Sequence, residues 1–397
     1  MRKYIQEICI LGIEMKKILF ILPSLAVGGL ERVQVTIANA LVRRGYDVKV
    51  MLLNPVKDLA SELDKRVKLV YKSEKPHKIM KRIPYIRHKL YDDGMWETRA
   101  SAKKLYKYYI GKEKFDVEIA FFRGLPIKII SGSTNKASVK IAWVHSDFKV
   151  CKGVANNFKS MQHVKNAYGR FDKIVCVSGQ AQQSFIDVVG CAEKTELIYN
   201  LLPADEIVDK AKEEIDIQKQ KFTICAVGRL GAEKGYDRLL SAVARLKTEG
   251  LDFDLWLIGD GREKDALQKF VKENALDNVQ LLGKQSNPYK YMKQADLYVC
   301  SSLYEGFNLT VAEAMILGVP VLSTKCTGPS EILDDGAYGM LVDNSTEGLY
   351  QGIKELLSDA DKLAYYKQKA QERRPFFDEE RICKEIEGLF GENKSGN

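Results

Sequence analysis

The chain has 397 residues, enough for two packed domains on the usual scale of about 100–200 residues each. Its 45% hydrophobic and 29% charged residues are the proportions of a folded globular protein and exclude disorder over most of its length. No run approaches the ~20 apolar residues that cross a bilayer, and the net charge of +9 suits a protein that meets phosphates or an anionic surface without saying which.

Glu7 and Glu14 interrupt the apolar N-terminal stretch, and Met15 followed by Lys16-Lys17-Ile18-Leu19-Phe20-Ile21 reads as the more natural start, with residues 1–14 as an upstream extension. From there, short β-branched apolar runs alternate with amphipathic segments, the pattern of parallel α/β sheets covered by helices on both faces. Strands are expected at 17–24, 47–53, 67–71, 117–122, 140–145, 173–178 and 196–200. In the second half they are expected at 222–228, 254–259, 279–283, 297–301, 320–324 and 339–342. The charged stretch 201–221 has no strand pattern and reads as the connection between two domains, 15–200 and 201–377. A last amphipathic segment, 378–390, carries Ile382, Ile386 and Leu389 at helical spacing and could cap either domain.

The first strand runs into a turn containing Gly28-Gly29, ahead of a helix with Leu30, Val33, Ile37, Ala40 and Leu41 on one face. Two glycines there let backbone approach a ligand, and a helix start offers N–H groups to an anion; a plain strand-to-helix turn explains the glycines equally well. The third glycine of a dinucleotide fingerprint is missing and no acidic residue ends the second strand, which disfavours a nicotinamide dehydrogenase. Two irregular basic stretches follow, 75–89 and 103–114; either could rest against an anionic membrane or be a solvated surface, and neither carries a nucleic-acid motif. His145 closes a strand, where ligands sit in open α/β sheets, so it could donate a hydrogen bond to a sugar oxygen or be structural.

The second half opens with Gly228-Arg229-Leu230-Gly231-Ala232-Glu233-Lys234-Gly235, another strand-to-helix turn, whose two cations could converge on a diphosphate. Asp252-Phe253-Asp254 has the spacing of a metal-binding D-x-D, yet it leads into the apolar run Leu255–Ile258 and brings no further oxygen ligands, so no metal is expected. The turn Leu257–Gly261 reads as structural or as a border of the nucleotide. Most informative is Glu305-Gly306-Phe307-Asn308-Leu309-Thr310-Val311-Ala312-Glu313. A helix beginning near Leu309, with Leu309, Ala312, Met315 and Ile316 on its buried face, aims its first amides at a phosphate or sugar. Glu305 and Glu313 then accept from two sets of hydroxyls, as a polyhydroxylated ligand requires. The eight cysteines, none in a C-x-x-C, read as buried free thiols of a reducing compartment, hence a cytoplasmic protein, with the inner face of the membrane as its workplace if the basic stretches bind there.

On these residues the sequence resembles glycosyltransferase family 4. The likeness spans Lys16–Ala40, His145, Gly228–Leu240, Leu257–Gly261 and Val279–Asp335, with Glu305 and Glu313 in its Glu-x7-Glu pattern and Gly318-Val319-Pro320-Val321 after it. Thr327-Gly328-Pro329-Ser330-Glu331-Ile332 further resembles enzymes of bacterial surface-polysaccharide synthesis. The resemblance implies a GT-B fold, two Rossmann-like domains facing across a cleft. It implies a metal-independent, cofactor-free retaining transfer of a hexose or N-acetylhexosamine from a nucleoside-diphosphate sugar, UDP above all, to a saccharide or lipid-linked acceptor. It implies that Glu313 binds ribose and Glu305 the donor sugar, that Arg229 and Lys234 bind the diphosphate, and that Gly306, Phe307, Asn308 and Leu309 line the donor site. Gly28 and Gly29 would close over the phosphates, and His145 would lie near the reacting carbon. Asn308 stands where the family commonly has proline or glycine. Rival readings are a GT-B sugar-nucleotide epimerase, a phosphorylase, or a nucleotide-binding homologue without turnover.

Overall fold

The structure is a computed structural model that describes residues 15–72, 95–151 and 153–391. The basic stretch 75–89, Cys9 and the tip 392–397 lie outside the described residues. By its contacts the chain forms two units, 1–201 together with 380–397, and 202–379.

The first unit holds a seven-stranded sheet in the order β3-β2-β1-β4-β5-β6-β7, every pairing parallel. Its strands are β1 (Lys17–Leu22), β2 (Asp47–Leu52), β3 (Lys68–Tyr71), β4 (Val117–Ala120), β5 (Val139–Val144), β6 (Lys173–Cys176) and β7 (Thr195–Leu197). The second unit holds a six-stranded parallel sheet in the order β10-β9-β8-β11-β12-β13. Its strands are β8 (Thr223–Val227), β9 (Asp254–Ile258), β10 (Val279–Gly283), β11 (Leu297–Cys300), β12 (Val321–Thr324) and β13 (Met340–Val342). Ile18–Leu22 and Leu297–Val299 are almost wholly buried because helices cover both faces, which is why these strands read as unbroken apolar runs rather than alternating ones. The core of the first unit gathers Ile127, Ile129, Tyr168 and Phe185, and that of the second Leu239, Leu240, Val243 and Phe253.

All thirteen expected strands are present, with bounds that differ from the expected ones by at most three residues. Two local expectations change, and the connection between the domains gains a helix. The basic stretch 103–114 is not irregular: Ala102–Tyr109 is a helix that buries Leu105, Tyr106 and Tyr109 and leaves Lys103, Lys104 and Lys107 exposed. The segment 201–221 contains a helix, Ala204–Lys210. The helix Leu309–Ile316 is enclosed on all sides, Val311 to Ile316 being buried and Leu309 only half-buried, so it has no single inward face.

The C-terminal helix Glu379–Gly388 buries Ile382, Cys383 and Ile386. Residues from Glu380 onward belong to the first unit, where Arg44 bonds Glu380 at 2.6 Å and Glu387 at 2.8 Å, and the Tyr46 and Phe390 rings meet edge to face at 5.4 Å. Both carboxylates push the Arg44 guanidinium pKa upward. The seven described cysteines are all free: Cys176, Cys225, Cys300 and Cys383 are buried, and Cys151, Cys191 and Cys326 half-buried.

Candidate active site

In an open parallel sheet the crevice for a ligand lies beyond the carboxyl ends of the strands where the order reverses. In the second unit that point falls between β8 and β11. The loop after β8 is Gly228–Gly235, and the loop after β11 is Ser301–Asn308, so two of the motifs singled out in the sequence flank one switch point.

Backbone contacts tie these loops together. Leu303 N–H donates to the Glu233 carbonyl at 2.8 Å, and Ser301 Oγ donates to the Lys234 carbonyl at 2.8 Å. Gly235 has φ +61°, and a Cβ there would lie 2.4 Å from the Ser301 carbonyl oxygen, so only glycine fits. The turn Leu257–Gly261 braces the first loop from behind: Gly228 N–H reaches the Ile258 carbonyl, and a Cβ on Gly259 would stand 1.8 Å from the Gly228 oxygen. That turn therefore has a bracing role in the fold of this loop.

Arg229 and Lys234 do not converge. Arg229 is exposed and bonds Glu233 at 2.5 Å, whereas Lys234 turns inward and bonds Glu305 Oε1 at 2.5 Å. The Lys234 and Glu305 side chains keep only 18% and 14% of their exposure, so the pair is largely out of water. Burial pulls the ammonium pKa down, but the Glu305 charge and hydrogen bond outweigh it and the net shift is upward. Ser302 Oγ also donates to Glu305 Oε1, at 2.7 Å. Sequence reasoning missed Ser302, although a hydroxyl three residues before a loop glutamate was a readable signal.

Asn308 explains its own presence. It takes a left-handed conformation, φ 71° and ψ 85°, which asparagine tolerates better than most residues, and it caps the Leu309–Ile316 helix by accepting the Val311 N–H at 3.0 Å. Its Nδ2 donates to Cys300 Sγ at 3.2 Å, joining the cap to the end of β11. Phe307 is buried, and a Cβ on Gly328 would lie 2.3 Å from its carbonyl, so the start of the Thr327–Ile332 helix packs directly on the Glu305–Asn308 loop. Glu313, one turn further along, is 9% exposed and accepts the Tyr289 hydroxyl at 3.1 Å. Tyr289 lies in a helix preceding β11, and nothing in its neighbourhood in sequence announced it.

Asp252 and Asp254 sit at the amino end of β9, the opposite edge of this sheet, where Asp252 pairs with Lys221 at 2.7 Å. The D-x-D is thus remote from Glu305 and Glu313.

In the first unit the sheet order reverses between β1 and β4, and the loops after β1, β4 and β5 carry Gly28-Gly29, Phe122-Arg123 and His145. Gly28 caps the Gly29–Arg43 helix, and a Cβ there would meet the Glu31 carboxylate at 2.3 Å. A cavity of about 330 Å³ opens at this edge, lined by Leu30, Phe122, Arg123, Trp143, His145 and Phe148 among others. The His145 ring packs on Phe121 at 4.6 Å, and its Nε2–H donates to the Phe121 carbonyl at 2.9 Å. That bond fixes the tautomer, because a carbonyl only accepts. The N–H expected to point at a sugar is therefore spent on the backbone. Burial pushes the imidazole pKa down to about 3, so the ring stays neutral.

Comparison with known proteins follows the same division. Residues 27–206 match the family description Glycosyltransferase Family 4, and residues 208–373 match Glycosyl transferases group 1. An N-acetylgalactosamine-N,N'-diacetylbacillosaminyl-diphospho-undecaprenol 4-alpha-N-acetylgalactosaminyltransferase of Campylobacter jejuni is 34% identical over 237 residues, covering 58% of this chain and 64% of the relative, just under two thirds of its length. The lipopolysaccharide core biosynthesis glycosyltransferase LpsE of Rhizobium meliloti is 27% identical over 243 residues, 59% of this chain and 70% of the relative. Among solved structures, Anabaena HepE in complex with UDP and glucose superposes with a TM-score of 0.73 at 21% identity, covering 94% of this chain and 98% of that one, a likeness of fold. Two parallel Rossmann-like units, each matched along most of its length, show that the chain belongs to the group 1, family 4 glycosyltransferases of GT-B fold.

Proposed function

We propose that the protein is a metal-independent, retaining glycosyltransferase. It moves a hexose or N-acetylhexosamine from a UDP-sugar to a saccharide or lipid-linked acceptor in cell-surface polysaccharide assembly, on the cytoplasmic side of the membrane. The observation that carries this reading is the paired Lys234 and Glu305 with Glu313 beyond them at one switch point. A donor's leaving diphosphate needs cations, its sugar needs a hydroxyl acceptor, and its ribose needs a second one; this edge supplies all three. The UDP in the HepE complex and the lipid-diphosphate acceptor in the Campylobacter relative's name support the donor and acceptor classes. Exposed Lys103, Lys104 and Lys107 offer an electrostatic hold near such a lipid.

In the reaction the acceptor oxygen bonds to the anomeric carbon as that carbon's bond to the diphosphate breaks. The acceptor proton passes to a phosphate oxygen, giving the glycoside and UDP. Lys234, held in place before the donor arrives, meets the charge that grows on the leaving phosphate, and its partial burial strengthens that interaction. Arg229, exposed beside it, can swing from Glu233 to the same phosphates. The first amides of the Leu309–Ile316 helix add positive potential. Glu305 orients the sugar, and Glu313 holds the ribose. The cavity beside His145 and Phe122 in the first unit suits the acceptor saccharide, apolar walls facing the C–H faces of a sugar ring.

Thermal unfolding with UDP, GDP and ADP tests the reading, since a ligand at 100 times its Kd stabilises by about 2.7 kcal/mol. The expected result is a rise with UDP that grows with one UDP-sugar and persists in EDTA. Glu313→Ala should abolish most of it. No rise with any nucleotide, or turnover unchanged in Glu313→Ala, would overturn the assignment.

A further inference from the structure

The Glu313 carboxylate is held by a residue outside the motif. Tyr289 is 9% exposed, and its hydroxyl donates to Glu313 Oε1 at 3.1 Å. It opens the six-residue helix Tyr289–Gln294 and is among its buried residues. At the helix start, Tyr289 N–H donates to Asn287 Oδ1 at 3.1 Å, and Asn287 Nδ2 donates to the Lys210 carbonyl at 2.8 Å, fastening this end to the Ala204–Lys210 helix. At the other end, Lys293 Nζ donates to the Leu317 carbonyl at 2.8 Å, just past the C-terminus of the helix that carries Glu313. The phenol and the carboxylate are thus borne by two short helices pinned to one another.

We propose that Tyr289 is a positioning residue for nucleotide recognition. It fixes the plane of the Glu313 carboxylate so that this carboxylate accepts both hydroxyls of a ribose, and it thereby sets the preference for ribo- over deoxyribonucleotides. The proposal rests on the reading that Glu313 binds ribose. A glutamate side chain has three rotatable bonds, and a vicinal diol is taken up well only when both carboxylate oxygens are presented together. The Tyr289 hydroxyl donates to Oε1 and so holds that oxygen in one place relative to the helix that bears it. Losing the orienting bond is expected to weaken the diol contact about tenfold, which is about 1.4 kcal/mol. A ligand without the 2'-hydroxyl makes only one of the two hydroxyl bonds to Glu313, so it should lose less than UDP when the Tyr289 hydroxyl is removed.

The test is calorimetric binding of UDP and of 2'-deoxy-UDP to the full chain, its Tyr289→Phe, Glu313→Ala and doubly substituted forms. Tyr289→Phe removes one oxygen and keeps the ring, and unfolding curves check that the fold persists. Asn287→Ala, which loosens the helix start without touching the phenol, serves as a second variant and should show a weaker version of the same change. The expected outcome is about a tenfold loss for UDP in Tyr289→Phe with a smaller loss for 2'-deoxy-UDP, and no further loss when Tyr289→Phe is added to Glu313→Ala. An equal loss for both nucleotides would make Tyr289 merely structural and overturn the proposal. Unchanged UDP binding in Tyr289→Phe, with discrimination lost in Glu313→Ala, would overturn it while leaving the Glu313 assignment standing. Discrimination intact in Glu313→Ala would bring down that assignment and the proposal with it.

Discussion

Lys234→Met separates the structural from the chemical role of the buried ion pair. Removing one partner of a fully buried pair costs roughly 3–5 kcal/mol, because the other charge is left without compensation. Here the side chains retain 18% and 14% exposure, and Ser302 still holds Glu305, so a smaller loss of about 2 kcal/mol is expected. For a unit of this size about 1 kcal/mol corresponds to 2–4 °C in Tm, which puts the single variant roughly 4–8 °C below the parent. Replacing both residues, Lys234→Met with Glu305→Leu, removes both desolvated charges, and such swaps are often neutral or better. The double variant should therefore unfold above either single one, with a coupling of at least about 1 kcal/mol, while UDP-sugar binding is lost in all three. Because the Lys234 pKa is raised, its contribution is fully present below the unfolded value of 10.5 and fades only above it, so the stability differences should be constant from about pH 6 to 9. Urea unfolding of the four proteins, with calorimetry for donor binding, makes the measurement. A double variant that falls by the sum of the singles would refute the coupling.

Three further outcomes are expected. His145, neutral in the native state with its pKa near 3 against 6.5 unfolded, gains a proton only on unfolding, so its stabilising contribution is present above pH 6.5 and declines as pH falls. Between pH 8 and 5 that decline amounts to about 2 kcal/mol, and His145→Asn should flatten the difference in urea unfolding by that amount. Asn308→Gly should cost only a few tenths of a kcal/mol, since glycine accepts the backbone angle, whereas Asn308→Ala loses cap and conformation together and should cost about 2 kcal/mol in the same assay. Arg44→Met releases Glu380 and Glu387, and limited proteolysis should then cut within 374–391 well before the rest of the chain.

The strands were legible because parallel strands buried on both faces must be apolar throughout, as Ile18–Leu22 and Leu255–Ile258 are. Glu305 and Glu313 were legible for a different reason: a glycine loop and a helix start are local events, and their spacing is fixed by one turn of helix. The Ala102–Tyr109 helix was hidden by its lysines, whose weight in composition masked Leu105, Tyr106 and Tyr109 on the inner side. Contacts between distant segments left no trace in the sequence. Lys234 meets Glu305 across 71 positions, Tyr289 meets Glu313 from another helix, and the His145 N–H turns to the Phe121 carbonyl because β4 and β5 are neighbours. Asn308 sits between the two cases, an unexpected residue whose fitness for a left-handed cap could be argued only once its backbone angle was known.

The return of the C-terminal helix to the first unit bears on how the protein is made. Arg44, Tyr46 and Lys16 find Glu380, Phe390 and Gly391 only after the whole second unit has been synthesised. At about 5–20 residues per second, the interval between the emergence of residue 201 and of residue 391 is on the order of 10–40 s, far longer than most domains need to fold. During that interval the first sheet must persist with one flank uncovered, while the second unit can close on itself as soon as residue 379 is free. The unit begun first is thus the one finished last.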